Sequence, residues 1–136
     1  GSRCPVTTET IEQRLNFVHM DGKAVFRFAT KVMGKTVETS LHRAGMEREE
    51  LDYLVPHQAN IRIIQAAAKR LAMPMEKVII NIHHYGNMSA ASIPVALAEA
   101  AHAQRFKKGD NIALAGFGAG LTWASCIMKW AKEENG

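Results

Sequence analysis

The chain has 136 residues, the size of one domain, and its 47% hydrophobic and 22% charged content excludes a disordered chain. No apolar run reaches the roughly 20 residues that span a bilayer, and Gly1-Ser2-Arg3-Cys4-Pro5 lacks the apolar core of a secretory signal. The net charge of +4 suits nucleic acid, a phosphorylated cofactor or an acidic protein, and selects none of them.

Gly1-Ser2 reads as a cloning remnant, and with no initiating Met the chain is expected to be a piece of a longer one. Residues 1–14 are polar and read as a tail or linker, leaving 15–136 as one domain. The two cysteines, Cys4 and Cys126, stand far apart in no metal-like or framework-like spacing, which points to a reduced, cytoplasmic protein.

Residues 15–20 alternate, with aromatic and β-branched content, and predict a strand, followed by the turn signal Asp21-Gly22. From 23 to 44 the period changes. Phe26, Ala29, Met33, Val37 and Leu41 share one helical face, and Gly45 ends the element. Residues 51–55 form a short apolar run stopped by Pro56, a buried strand. Asn60 can cap a helix running to about residue 72, with Ile61, Ile64, Ala68 and Leu71 along one stripe.

Residues 77–82 read as another strand. Gly86 opens a loop, and Ser89 can cap a helix over 90–104. Residues 111–115 and 122–130 predict two last strands around the glycine-rich 116–120. The order βαβαβαββ implies an α/β fold: a five-stranded, mixed but mostly parallel sheet with helices on its faces. In such sheets ligands gather beyond the carboxyl ends of the strands. Three loops lie there, at 56–60, 85–89 and 116–120.

The first loop carries His57, Gln58 and Asn60, the second Asn87 beside Gly86. The third is a turn whose backbone N–H groups can approach a ligand closely. A neutral imidazole N–H and a carboxamide NH₂ are both donors. Aimed at one carbonyl oxygen, they would stabilise the charge that develops as it becomes an enolate, and the glycine loop could form a second oxyanion hole.

Val55-Pro56-His57-Gln58-Ala59-Asn60 resembles the histidine motif of the β-ketoacyl-acyl carrier protein synthase III family. Tyr85-Gly86-Asn87-Met88-Ser89-Ala90-Ala91-Ser92 resembles its asparagine motif, and Gly116-Phe117-Gly118-Ala119-Gly120-Leu121-Thr122-Trp123 its glycine-rich closing motif. The three come in the family's order and spacing, and the similarity extends over residues 15–130. The resemblance implies the C-terminal half of a thiolase-like condensing enzyme. Such an enzyme passes an acyl group from coenzyme A to a cysteine and then onto malonyl-acyl carrier protein, with loss of CO₂.

By that resemblance His57 and Asn87 hold the malonyl thioester carbonyl. Gly118, Ala119 and Gly120 match the loop that supplies an oxyanion-hole N–H; Ala119 stands where the family has glycine, and Met88 where it often has threonine. Gly22, Val25 and Phe26 correspond to the pantetheine tunnel, and Ala59 and Asn60 to coenzyme A contacts. Gln58 and Arg62 are expected at the carrier-protein docking surface. Lys69 and Arg70, on the same helix as Arg62, could receive an acidic carrier protein or coenzyme A phosphates. No cofactor is implied, since coenzyme A thioester and phosphopantetheine are substrates.

The implied partners are acyl carrier protein, acyl-coenzyme A, an N-terminal half and a second copy in a homodimer; neither nucleic acid nor membrane is among them. The family nucleophile is a cysteine opening a helix of the N-terminal half, and neither Cys4 beside Pro5 nor Cys126 within an apolar strand fits it. The chain alone is therefore expected not to condense substrates.

Blander readings compete at several positions. His57 alone could be structural, Asn87 a turn residue, the glycine loop a plain hairpin turn, and Arg62, Lys69 and Arg70 a solvated face. Lys23, Arg27, Lys31 and Lys35 form a stripe that reads as solvated rather than as a nucleic-acid surface. His83-His84 would point to opposite faces of a strand and make a poor metal site. Rival functions are a non-catalytic coenzyme A or acyl-binding module, a related synthase of polyketide or quinolone type, and a hydrolase using Ser89 or Ser92 with His57. The last lacks the nucleophile-elbow pattern G-x-S-x-G.

Overall fold

The computed structural model describes residues 3–132. Gly1 and Ser2, read above as a cloning remnant, lie outside the described residues, as do 133–136 of the expected domain.

Among the described residues five helices and three strands follow in the order α1 (Thr8–Glu12), α2 (Gly22–Ala44), β1 (Tyr53–Pro56), α3 (Ile61–Arg70), α4 (Ile82–Tyr85), α5 (Ser92–His102), β2 (Asn111–Gly118) and β3 (Thr122–Lys129), with short 3₁₀ turns between some of them. The sheet order is β1-β2-β3. β1 runs parallel to β2, Tyr53 opposite Ile112 and Pro56 opposite Ala115. β2 and β3 form an antiparallel hairpin from Asn111 opposite Lys129 to Gly118 opposite Thr122.

The long helix α2 starts and stops where its sequence dictates. Asp21 caps it, its carboxylate accepting the N–H groups of Lys23 and Ala24 at 3.0 Å each. Gly45, at φ 68°, takes the left-handed conformation, and the N–H of Met46 returns to the Leu41 carbonyl at 3.0 Å. Asn60 caps α3 through the N–H of Arg62 at 2.9 Å. The two helices pack closely at Gly34, where a β-carbon would lie 2.8 Å from Cδ of Arg70.

Side chains alternate across the strands and build a core on each face of the sheet. On one face Leu54, Ala113 and Ala115 pack with Ala29, Met33 and Val37 of α2 and Ile64 and Ala68 of α3. On the other, Val55 and Ile112 pack with Ala96 and Ala100 of α5 and with Phe106. The sheet therefore lies between α2/α3 and α5.

Two expected strands do not form, so the sheet has three strands rather than five. Residues 15–20 are irregular, and Leu15, Phe17, Val18 and Met20 are exposed. Alternation gave the segment a strand pattern, but a strand also needs a neighbour for its ladder. Here the segment turns on itself: His19 Nε2 bonds the Arg14 carbonyl at 3.0 Å, and the Arg14 guanidinium sits 5.0 Å from the Phe17 ring centroid.

Residues 77–82 make a single parallel bridge, Val78 with Leu54, before entering α4. The cause is local. The Gln58 carboxamide accepts the N–H groups of Asn81 at 3.1 Å and Ile82 at 3.2 Å and donates to the Ile79 carbonyl at 3.1 Å. A side chain takes the place of a neighbouring strand. Two smaller boundaries also differ. The expected tail contains α1, capped by Thr7. The helix expected over 90–104 starts at Ser92 behind a 3₁₀ turn at Ser89–Ala91, so Ser89 does not cap it.

Candidate active site

β1 delivers His57 to the carboxyl end of the sheet. Its N–H donates to the Ala115 carbonyl at 2.7 Å, which extends the β1–β2 pairing by one residue. The half-buried imidazole stands edge-on to Phe117, ring centroids 5.4 Å apart, and its Nδ1 lies 2.5 Å from Oγ of the fully buried Ser92. Burial disfavours the imidazolium and lowers the His57 pKa from its ordinary 6.5, so at neutral pH the ring is uncharged and carries one N–H.

Asn87 is exposed in the loop after α4. Its Oδ1 accepts the Ser89 N–H at 2.9 Å, an Asx turn that fixes the loop. Gly86 makes that loop possible: its φ of 66° and ψ of −153° define a conformation open almost only to glycine. Ser89 itself sits at φ 55°.

Short polar contacts connect the two motifs. From His57 Nδ1 the path runs to Ser92 Oγ, from there to the Ser89 carbonyl at 2.9 Å, and from the Ser89 N–H to Asn87 Oδ1. The segment that follows Asn87 thus lies against the loop that carries His57. A second clamp holds the loop from α5. The Tyr85 hydroxyl donates to Glu99 Oε1, and Asn81 Nδ2 donates to Glu99 Oε2 at 2.7 Å. The Tyr85 hydrogen bond, then that from Asn81, holds the Glu99 carboxyl below its usual range, while Glu99 raises the Tyr85 hydroxyl. Asn81 Oδ1 is buried without a hydrogen-bond partner.

Gly118, Ala119 and Gly120 lie at the exposed end of the β2–β3 hairpin, one residue past Phe117. Gly22 opens α2 and is exposed; Val25 and Phe26 are half-buried there, Phe26 packing on the core. Ala59 and Asn60 line a shallow groove of about 490 Å³ with Ile61, Ile80, Ile82 and His83. Arg62 and Lys69 are exposed on α3.

Two residues expected at the docking surface are engaged inside the chain. Gln58 is fully buried, and its amide also donates to the Pro56 carbonyl at 2.8 Å, so it braces the site from within. Arg70 reaches across Gly34 to α2 and pairs with Glu38 at 2.8 Å, where Arg48 meets the other carboxylate oxygen at 2.7 Å.

His83 and His84 lie in α4 rather than on a strand, with ring centroids 4.1 Å apart. Among the described residues no group of three or more His, Cys, Asp or Glu could hold a metal ion. Ser92 does meet His57, as the hydrolase reading required, but with no exposure it is closed to any substrate. Cys4 and Cys126 are exposed, the latter on β3. No helix among the described residues is long and apolar enough to cross a membrane.

Sequence reasoning missed the roles of Ser92, Phe117 and Glu99. Ser92 and Phe117 lay within quoted motifs; Glu99, on a helix fourteen residues from Tyr85, had no short-range signal.

A family profile described as 3-oxoacyl-[acyl-carrier-protein (ACP)] synthase III C terminal matches residues 41–130. The chain is 54% identical over 130 residues to the beta-ketoacyl-[acyl-carrier-protein] synthase III of Clostridioides difficile, covering 96% of this chain and 40% of that protein. The crystal structure of 3-oxoacyl-(acyl carrier protein) synthase III from Pseudomonas aeruginosa superposes with a TM-score of 0.84 at 44% identity, over 96% of this chain and 40% of that one. That of the Thermus thermophilus synthase III gives 0.81 at 48% identity, over 83% and 35%. The chain thus spans about two fifths of the length of the curated relatives it matches. The chain belongs to the family of 3-oxoacyl-[acyl-carrier-protein] synthase III C-terminal domains.

Proposed function

We propose that this chain is the catalytic C-terminal part of a β-ketoacyl-acyl carrier protein synthase III, a cytoplasmic enzyme that condenses an acyl-coenzyme A primer with malonyl-acyl carrier protein. The reaction transfers the primer acyl group to a cysteine of the N-terminal part. Loss of CO₂ from the malonyl thioester leaves a carbanion stabilised as an enolate. That carbon attacks the acyl-cysteine, releasing the thiol and forming the β-ketoacyl thioester.

His57 and Asn87 donate to the malonyl thioester oxygen as it gains charge. A donor placed for a developing oxyanion contributes about 100- to 1,000-fold in rate. Backbone N–H groups of Gly118, Ala119 and Gly120 serve the carbonyl of the cysteine-bound acyl group; Ala119 keeps a backbone donor in place of the family's glycine. Gly22, Val25, Phe26, Ala59 and Asn60 line the pantetheine path, and the exposed Arg62 and Lys69 meet the acidic carrier protein. The working enzyme is a homodimer.

The observation that supports this reading is the short contact between His57 Nδ1 and Ser92 Oγ, with Ser92 Oγ 2.9 Å from the carbonyl of Ser89, the residue whose N–H bonds Asn87 Oδ1. It is tested by joining the chain to the N-terminal segment of a synthase III and assaying both proteins with acetyl-coenzyme A and malonyl-acyl carrier protein. The joined protein condenses them and the 136-residue chain alone does not. Elongation by the chain alone, or none by a folded joined protein, contradicts the proposal.

A further inference from the structure

A neutral imidazole has one proton and two nitrogens, and only one tautomer suits a donor to a thioester oxygen. With Nδ1 facing Ser92, the proton must sit on Nε2. Which tautomer forms depends on where the single Ser92 hydroxyl proton points.

The surroundings of Ser92 decide between two acceptors. One is the Ser89 carbonyl, 2.9 Å away. That carbonyl already accepts the backbone N–H of Ser92 itself. The other is His57 Nδ1, nearer at 2.5 Å. Gln58 N–H, 3.4 Å from Ser92 Oγ, offers that oxygen a donor and occupies one of its lone pairs. Ser92 has no exposure, so water does not compete for its proton. If the proton went to Ser89, Nδ1 would have to carry the imidazole hydrogen, and the nitrogen left for a ligand would be a bare acceptor.

We infer that Ser92 is the positioning residue of His57, its hydroxyl donating to Nδ1 and thereby holding the imidazole as the Nε2–H tautomer. This deepens the proposed role of His57 and rests on that reading for its use in catalysis, though the tautomer itself can be observed without any turnover. Ser92 touches no substrate. It acts through the ring: the single hydroxyl proton serves Nδ1, and the Ser89 carbonyl keeps the backbone N–H of Ser92 as its donor.

Long-range ¹H–¹⁵N spectra of the full chain labelled at histidine distinguish the tautomers directly, five other histidines serving as internal controls out of six. The unaltered chain is expected to show His57 protonated at Nε2. In Ser92→Ala, one neutral hydrogen bond of about 1 kcal/mol is gone, so the Nε2–H to Nδ1–H ratio falls by roughly 5- to 10-fold. Ser92→Thr, which keeps a hydroxyl, restores it.

His57 protonated at Nδ1 in the unaltered chain overturns the inference, as does a folded Ser92→Ala chain with unchanged tautomer. Should Ser92→Ala fail to fold, the unaltered chain's spectrum decides. An Nε2–H ring combined with full decarboxylation by a joined His57→Ala protein would leave Ser92's role standing and remove the proposed function instead.

Discussion

Gln58 Oε1 accepts the backbone N–H of Asn81 at 3.1 Å, and with that bond a side chain of the loop after β1 fixes the course of the chain into the Asn87 loop. The same carboxamide satisfies Ile82 N–H and the carbonyls of Pro56 and Ile79. A buried network of this kind is expensive to break, because each orphaned group keeps its desolvation cost.

Gln58→Ala is therefore expected to lower folding stability by about 3 kcal/mol or more, well above the typical single substitution. Urea unfolding of the two chains measures it. A loss below about 1 kcal/mol would mean that water replaces the amide at little cost.

Gly86→Ala isolates a backbone effect. A β-carbon there meets nothing within 4 Å, so no clash contributes. The conformation at φ 66° and ψ −153° is the whole penalty, expected at about 1–3 kcal/mol. Thermal unfolding reads the loss; an unchanged midpoint would show the loop relaxing to another shape.

The lowered pKa of His57 has a definite sign in folding. Above pH 6.5 the ring is neutral in both states and adds nothing. Below 6.5 the unfolded chain takes the proton first, so stability falls with pH until the folded value is passed, and the loss is then constant. Replacing His57 with Gln should flatten that part of the stability–pH curve. An NMR titration of the ring should have its midpoint below 6.5.

Glu38 binds two arginines, yet its contribution should be small. The Arg48 and Arg70 side chains are 49% and 42% exposed, so solvent screens both pairs. Glu38→Gln is expected to cost less than about 1 kcal/mol, and less still at high salt. A loss of several kcal/mol, read by urea unfolding, would show that this clamp joins α2 to α3.

Local chemistry made much of the fold legible. Asp21 and Gly45 bound α2, Asn60 caps α3, and both hairpin strands follow the apolar pattern around the glycine loop. The errors came where tertiary contacts outrank pattern. Val18 belongs to an alternating run but has no strand beside it and is almost wholly exposed. Ile79 lies in a strand-like run whose next residues bond Gln58 instead of another strand. At the site, His57 and Asn87 could be chosen by residue type and motif. Glu99 could not, since only the folded helix α5 brings it to Tyr85.

The central claim is that His57 and Asn87 share one oxygen, and CO₂ release from a malonyl thioester by the chain joined to a synthase III N-terminal segment tests it most directly. His57→Ala and Asn87→Ala should each slow release by about 100- to 1,000-fold, and the double variant by less than the product of the two, as expected of groups that act as a unit. Undiminished release from either single variant, or losses that multiply fully, would contradict it.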